Sequence, residues 1–147
     1  MSDLEKIREW ISTYPGTERL QDLWVDYYAP APDNGSIAPA GLVEVSRNED
    51  ILGNIVVENQ YNFGLYYVLT KATADDTGAT ENAEWIMGLQ KWVQEQSIRK
   101  LAPIFGDEPA TERILAQNGA LYAADEEGTA TYIVQLSIKF KKIYEVM

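Results

Sequence analysis

Between Val56 and Lys71 the sequence alternates with a period of two. Val57, Tyr61, Phe63, Leu65, Tyr67 and Leu69 fall on one side of an extended chain, and Glu58, Gln60, Asn62, Gly64 and Tyr66 fall on the other. Successive side chains of a strand point to opposite faces, so this pattern prescribes one face for a core and one for water. At about 3.3 Å per residue the strand would be roughly 50 Å long. A compact domain of 147 residues has a radius of gyration near ~15 Å and a diameter of about 40 Å. Part of this strand is therefore expected to protrude from the body it belongs to.

The remaining segments supply what could cover its apolar face. Ser2 and Glu5 form a capping box, after which Leu4, Ile7, Trp10 and Ile11 recur at helical spacing until Tyr14-Pro15-Gly16 stops the helix. Leu23 to Tyr28 is rich in β-forming residues and reads as a strand. Ala29 to Pro39, with its prolines and Asn34-Gly35-Ser36, reads as an exposed loop, and Gly41 to Arg47 as a second strand. Asn34-Gly35-Ser36 also fits the N-glycosylation sequon, but a turn is the plainer account for a chain that is expected to stay in the cytoplasm. After the long strand and a polar loop, Thr80 is placed to cap a second helix, with Glu81 and Glu84 near its positive end. Trp85, Leu89, Trp92, Val93 and Gln96 follow at helical spacing. Two tryptophans on one stripe suit a ligand cage, but core packing is the commoner use of such a stripe, so Trp10, Trp85, Leu89 and Trp92 are expected to be buried. Ile104 to Pro109 is a loop, and Arg113 to Tyr122 and Thr129 to Phe140 form an antiparallel pair around the acidic turn Ala124 to Gly128. In the last strand Tyr132, Val134, Leu136, Ile138 and Phe140 share a face. Helix, three strands, helix, two strands describe an α+β fold: a single domain, residues 1–147, with a mainly antiparallel sheet and two packed helices.

Composition removes most chemistries. There is no Cys and no His, so disulfides, thiolate nucleophiles, zinc fingers and histidine-based catalysis are all excluded. Twelve Lys and Arg against 23 Asp and Glu give a net charge of −11, which repels phosphate and argues against stable nucleic-acid binding. The charged start, Met1 to Glu9, has no apolar leader, and the uncharged run Asn59 to Thr70 is too short and polar to span a bilayer. Glycine-rich phosphate loops and the nucleophile elbow are absent. Asp75/Asp76 with Glu81, Asp107/Glu108 and Glu126/Glu127 are adjacent acids in turns; the first set lacks the alternating ligands of a calcium loop, and none is a separated pair of the kind a glycosidase uses. No catalytic, cofactor-binding or metal-binding residue is assigned. Lys139, Lys141 and Lys142 are a small basic cluster at the end of the last strand, suited to solvent or to an acidic neighbour.

The order of segments resembles the tail terminator proteins (tail completion or minor capsid proteins) of long-tailed bacteriophages and prophages. The resemblance runs through the N-terminal helix ending at Tyr14-Pro15, the strand containing Val25-Asp26-Tyr27, Gly41 to Arg47, Gln60 to Leu65, the helix with Leu89 to Gln94, Pro103 to Asp107, and Ala130 to Lys141. It covers most of the chain; Ala29 to Pro39 departs from it in length and proline content. It implies a structural virion protein, not an enzyme, at the head-proximal end of the tail. There it would form a homo-oligomeric ring, usually hexameric, that ends the tail tube and joins it to the head connector, so its partners are the tail tube protein and the head-tail connector protein. In such a ring the acidic Asp125, Glu126 and Glu127 are candidates for the lumen and Lys139, Lys141 and Lys142 for subunit contacts, with no cofactor and no membrane. The alternatives are a small acidic ligand-binding module built on Trp85 or Trp92 with nearby tyrosines, and a carboxylate-dependent enzyme.

Overall fold

The computed structural model describes residues 2–16, 22–25, 34–70, 76–124 and 129–145. Helix α1, Asp3–Ile11, starts where the sequence predicts it: Ser2 Oγ accepts a hydrogen bond from the Glu5 N–H at 3.2 Å. It closes with the N–H groups of Ser12, Thr13 and Tyr14 folded back onto the carbonyls of Arg8, Trp10 and Ile11. Ile7, Trp10 and Ile11 form its buried face.

Five strands make one sheet: β1 (Asp22–Val25), β2 (Asn34–Glu49), β3 (Ile55–Thr70), β4 (Arg113–Ala124) and β5 (Thr129–Tyr144). Their order is β1-β2-β3-β5-β4, with β1 parallel to β2 and every other neighbour antiparallel. The central β3 pairs with β5 without interruption from Ile55↔Tyr144 to Thr70↔Thr129.

The expected loop Ala29 to Pro39 is corrected in its second half: residues 34–39 belong to β2, and residues 29–33 lie outside the described residues. Asn34 to Ile37 pair with β1 on one side and with Val68 to Leu65 of β3 on the other. Asn34, Ser36 and Ile37 are buried, so the Asn-Gly-Ser sequence is neither a turn nor an exposed glycosylation site. Pairing on both sides overrides the local turn signal. Pro39 is tolerated because its outward side has no strand beside it among the described residues, where its missing N–H leaves no ladder bond unmade.

Helix α2 spans Asp76–Ile98, so it begins four residues before the predicted cap at Thr80. Asp76 and Thr77 are themselves residues that favour a helix start, and Gly78 is carried inside the helix at a cost of about 1 kcal/mol. Ile86, Leu89 and Val93 are its fully buried stripe. Trp85 and Trp92, expected in the core with Trp10 and Leu89, are instead half-buried on its flanks, bridging the two helices. Trp92 stacks on Trp10 with ring centres 5.1 Å apart, and Tyr14 meets Trp85 edge-on and lies tilted against Trp92. Polar tips complete the clamp: Trp10 Nε1 donates to Gln96, Tyr14 Oη to the Trp85 carbonyl and Trp85 Nε1 to the Gly16 carbonyl. Indoles whose N–H needs a partner favour this rim position over a dry core.

Both helices cover the same face of the sheet, against Phe63, Leu65, Tyr67 and Leu69 of β3 and Tyr132, Val134, Leu136 and Ile138 of β5. The alternation seen in the sequence is thus the division between core and exterior. Burial holds the phenol of Tyr67 far above its usual pKa.

Candidate interaction surfaces

β2 leaves the cover of the body, while β3 stays buried or half-buried from Ile55 to Leu69 beside β5. Every residue from Pro39 to Leu52 is exposed, including Leu42, Val43 and Val45, whose side chains leave on both faces of the strand. Among the described residues, β1 ends its pairing at Ile37, and the outer edge of β2 from Ala38 to Glu49 has no neighbouring strand. The edge carries familiar protections: Pro39, register shifts at Pro39/Leu42 and Glu44/Ser46, and a 2.7 Å ion pair between Arg47 and Glu44. Beside those protections stand the three exposed aliphatic side chains Leu42, Val43 and Val45.

At its tip the chain turns through Asp50 to Asn54. Asp50 Oδ1 accepts from the N–H groups of both Leu52 and Asn54 at 2.9 Å, the Asp50 N–H donates to the Asn54 carbonyl, and Gly53 takes φ +86°. The left-handed position demands glycine and the Asp side chain ties the turn to itself. Held between them are Ile51 and Leu52, at 101% and 79% exposure.

The basic run at the end of β5 does not act as one cluster. Lys139 and Lys141 lie on the face away from the helices, where Lys139 is opposite Arg113 of β4 and Lys141 opposite Glu58 of β3; Lys142 lies on the other face. Lys141 Nζ is 3.7 Å from Glu108. Asp107 takes over where β4 has not yet begun: its N–H donates to the Lys141 carbonyl and its carboxylate accepts from the Ile143 N–H, both at 2.8 Å. The two acids of Asp107/Glu108 are thus committed to the end of β5. Asp75 and the acidic turn Asp125, Glu126 and Glu127 lie outside the described residues. Among the described residues no three His, Cys, Asp or Glu side chains gather as a metal site would require.

Between the end of α2 and the start of β4 is an apolar cleft of about 110 Å³, lined by Ala102, Pro103, Ile104, Pro109, Ala110 and Ile114, with Ser97, Lys100 and Glu112 at its polar margin. Glu112 is buried and spans the loop, accepting from the N–H groups of Phe105 at 2.8 Å and Gly106 at 3.1 Å. Lys100 turns the chain at φ +57° and donates to the Glu112 carbonyl. Around this cleft Ile98, Leu101 and Ile104 are exposed. Sequence reasoning did not find it, because these residues follow the helix stop and share no period; their only signal is aliphatic side chains in a loop.

A second recess, of about 500 Å³, lies on the sheet face opposite the helices, among Gln60, Asn62, Tyr66, Gln117, Gln135 and Ser137. Its lining is uncharged and rich in amides. Trp85 and Trp92, the residues of the expected ligand pocket, have their rings engaged with Trp10, Tyr14 and Tyr67.

No protein-family model matches the chain, and no curated protein sequence is significantly similar to it. No helix among the described residues is long and apolar enough to cross a membrane. The fold and its surfaces therefore define the class on their own terms: an α+β domain with a long exposed strand edge that ends in an apolar turn.

Proposed function

We propose that the chain is a structural virion protein of a phage or prophage, a tail terminator that closes the tail tube as a homo-oligomeric ring and joins it to the head connector. The observation that carries this is the exposed β2, with Leu42, Val43 and Val45 in water and an outer edge unpaired from Ala38 to Glu49 among the described residues. An isolated subunit leaves that edge and its aliphatic side chains in water; a neighbour covers both. The other edge of the sheet is β4, and β2 and β4 run in opposite directions. Copies related by rotation about an axis along the strands bring β2 of one beside β4 of the next in antiparallel sense, a head-to-tail contact of the kind that closes a ring. The net charge of −11 suits a channel through which DNA passes without being held.

Electron microscopy of tails assembled with and without the protein tests the proposal. Tails of uniform length carrying a ring at the head-proximal end support it; tubes of uncontrolled length with the protein present refute it. The uncharged recess favours one other function, a module binding a neutral, hydrogen-bonding ligand such as a sugar. Calorimetric titration with neutral saccharides that leaves the Gln135→Ala variant silent would support that second assignment.

A further inference from the structure

We infer that the hairpin tip of one subunit seats in the apolar cleft of the next, with Leu52 as the inserted side chain; this deepens the ring proposal and rests on it. The tip is convex and preorganised. A turn between strands ordinarily shows polar residues to water, yet here Asp50 and Gly53 lock a turn whose outermost side chains are Ile51 and Leu52. A turn already fixed in its bound shape loses little freedom on docking. The cleft is concave, held open by Glu112 and Lys100, and its 110 Å³ suits one branched aliphatic side chain, since a dry cavity of roughly 150 Å³ accepts a benzene ring.

Charge and position select a second copy as the occupant. The tip carries Glu49 and Asp50 beside its aliphatic pair, and at the cleft margin Lys100 makes no ion pair among the described residues. In a chain of net charge −11 it is a scarce cation, and it stands where an acidic tip would arrive. The tip extends past the Ile55↔Tyr144 rung, and the cleft loop runs alongside Lys141 and leads into Arg113↔Lys139, so both features lie at the same end of the strands. They are on opposite edges of the sheet, the tip with β2 and the cleft with β4. One subunit therefore offers both halves of the contact and cannot satisfy its own, which is the requirement for a heterologous interface.

The native chain has no cysteine, so a disulfide can be placed at will. The Leu52→Cys/Ile104→Cys double variant is oxidised under conditions where the wild-type protein forms rings and is run on a non-reducing gel, with each single variant and their mixture alongside. The expected result is a ladder of covalent oligomers from the double variant, dimers from the mixture and monomers from each single variant. Rings visible by microscopy without the 52–104 bond, or Leu52→Cys bonding to itself, would overturn the tip-in-cleft contact while leaving the ring in place. A wild-type protein that sediments as a monomer and never decorates tails would overturn both. As a second readout, Ile51→Asp/Leu52→Asp alters only exposed side chains, so its chemical-denaturation midpoint should match wild type while association weakens at least ~100-fold. Unchanged association would equally refute the contact.

Discussion

Tyr67 offers a test in which removing a polar atom strengthens the protein. Its ring is fully buried on β3, edge-on to Trp85 with centres 4.8 Å apart, and its hydroxyl has no hydrogen-bond partner among the described residues. A hydroxyl taken from water without a replacement bond costs about 1–3 kcal/mol in protein mutational data. Tyr67→Phe removes that cost and leaves the ring in place. The missing oxygen leaves a void of roughly 10–15 Å³, about one water-sized probe, which at ~24 cal/mol per Å³ takes back ~0.3 kcal/mol. The net expectation is a gain of about 0.7–2.7 kcal/mol, or roughly 2–10 °C in Tm for a chain this long. Urea denaturation followed by far-ultraviolet circular dichroism measures it, with an unchanged slope showing that both variants unfold the same surface. Tyr61→Phe is the control of opposite sign, because its hydroxyl donates to Asp3 Oδ2 at 2.6 Å, and that substitution should destabilise. If Tyr67→Phe loses more than ~1 kcal/mol, the hydroxyl has a partner and the reasoning fails.

Tyr61 also sets a pH dependence. Burial, then the hydrogen bond from its hydroxyl to Asp3, then the charge of Asp3 push its pKa up to about 12. The folded protein therefore keeps a proton that the unfolded chain loses near pH 10; this contribution is whole below pH 10 and disappears as the pH rises to about 12. Denaturation midpoints across that window should fall less steeply for Tyr61→Phe than for wild type, and identical slopes would count against the bond. Glu112→Ala strips two backbone N–H groups of their shared acceptor and should cost about 2–4 kcal/mol, whereas Glu112→Gln, which keeps one acceptor oxygen, should cost roughly half as much by thermal unfolding. Gly106→Ala would drive a methyl group into the Lys141 backbone carbonyl and should cost about 1–3 kcal/mol; a neutral result would show that the loop is free to shift.

The two faces of β3 were legible because a strand's burial pattern is written in its own period. The same was true of β5, where Tyr132 to Phe140 alternate as predicted. Residues 34–39 were not legible: their neighbours in sequence signal a turn, and only β1 and β3 on either side make them a strand. The expected protrusion of the long strand is not what the structure has: β3 is buried or half-buried from Ile55 to Leu69 beside β5, and it is β2 and the turn that are exposed. The turn could not be singled out by hydrophobic period; its readable trace is Asp50 with Gly53, the residues that tie it. The start of α2 lies four residues ahead of the expected cap because the sequence around Asp76 offers several capping residues, and local pattern alone does not choose among them. The lysine run illustrates a further limit: adjacency in a strand separates side chains, and Lys142 faces away from Lys139 and Lys141.

The connectivity around β3 orders the events by which this chain acquires its shape. On one side β3 meets β2 across the short turn Asp50 to Asn54, and on the other it meets β5, which arrives only after α2 and β4 have been threaded between them. Closing a short loop costs less entropy than closing a long one, so the β2–β3 hairpin is the part of the sheet that can form earliest. Its outer half needs no helix to complete it. The surface proposed to meet a neighbour is thus built from the most local contacts of the fold, ahead of the core that supports it, and a nascent chain would display that edge before its body had closed.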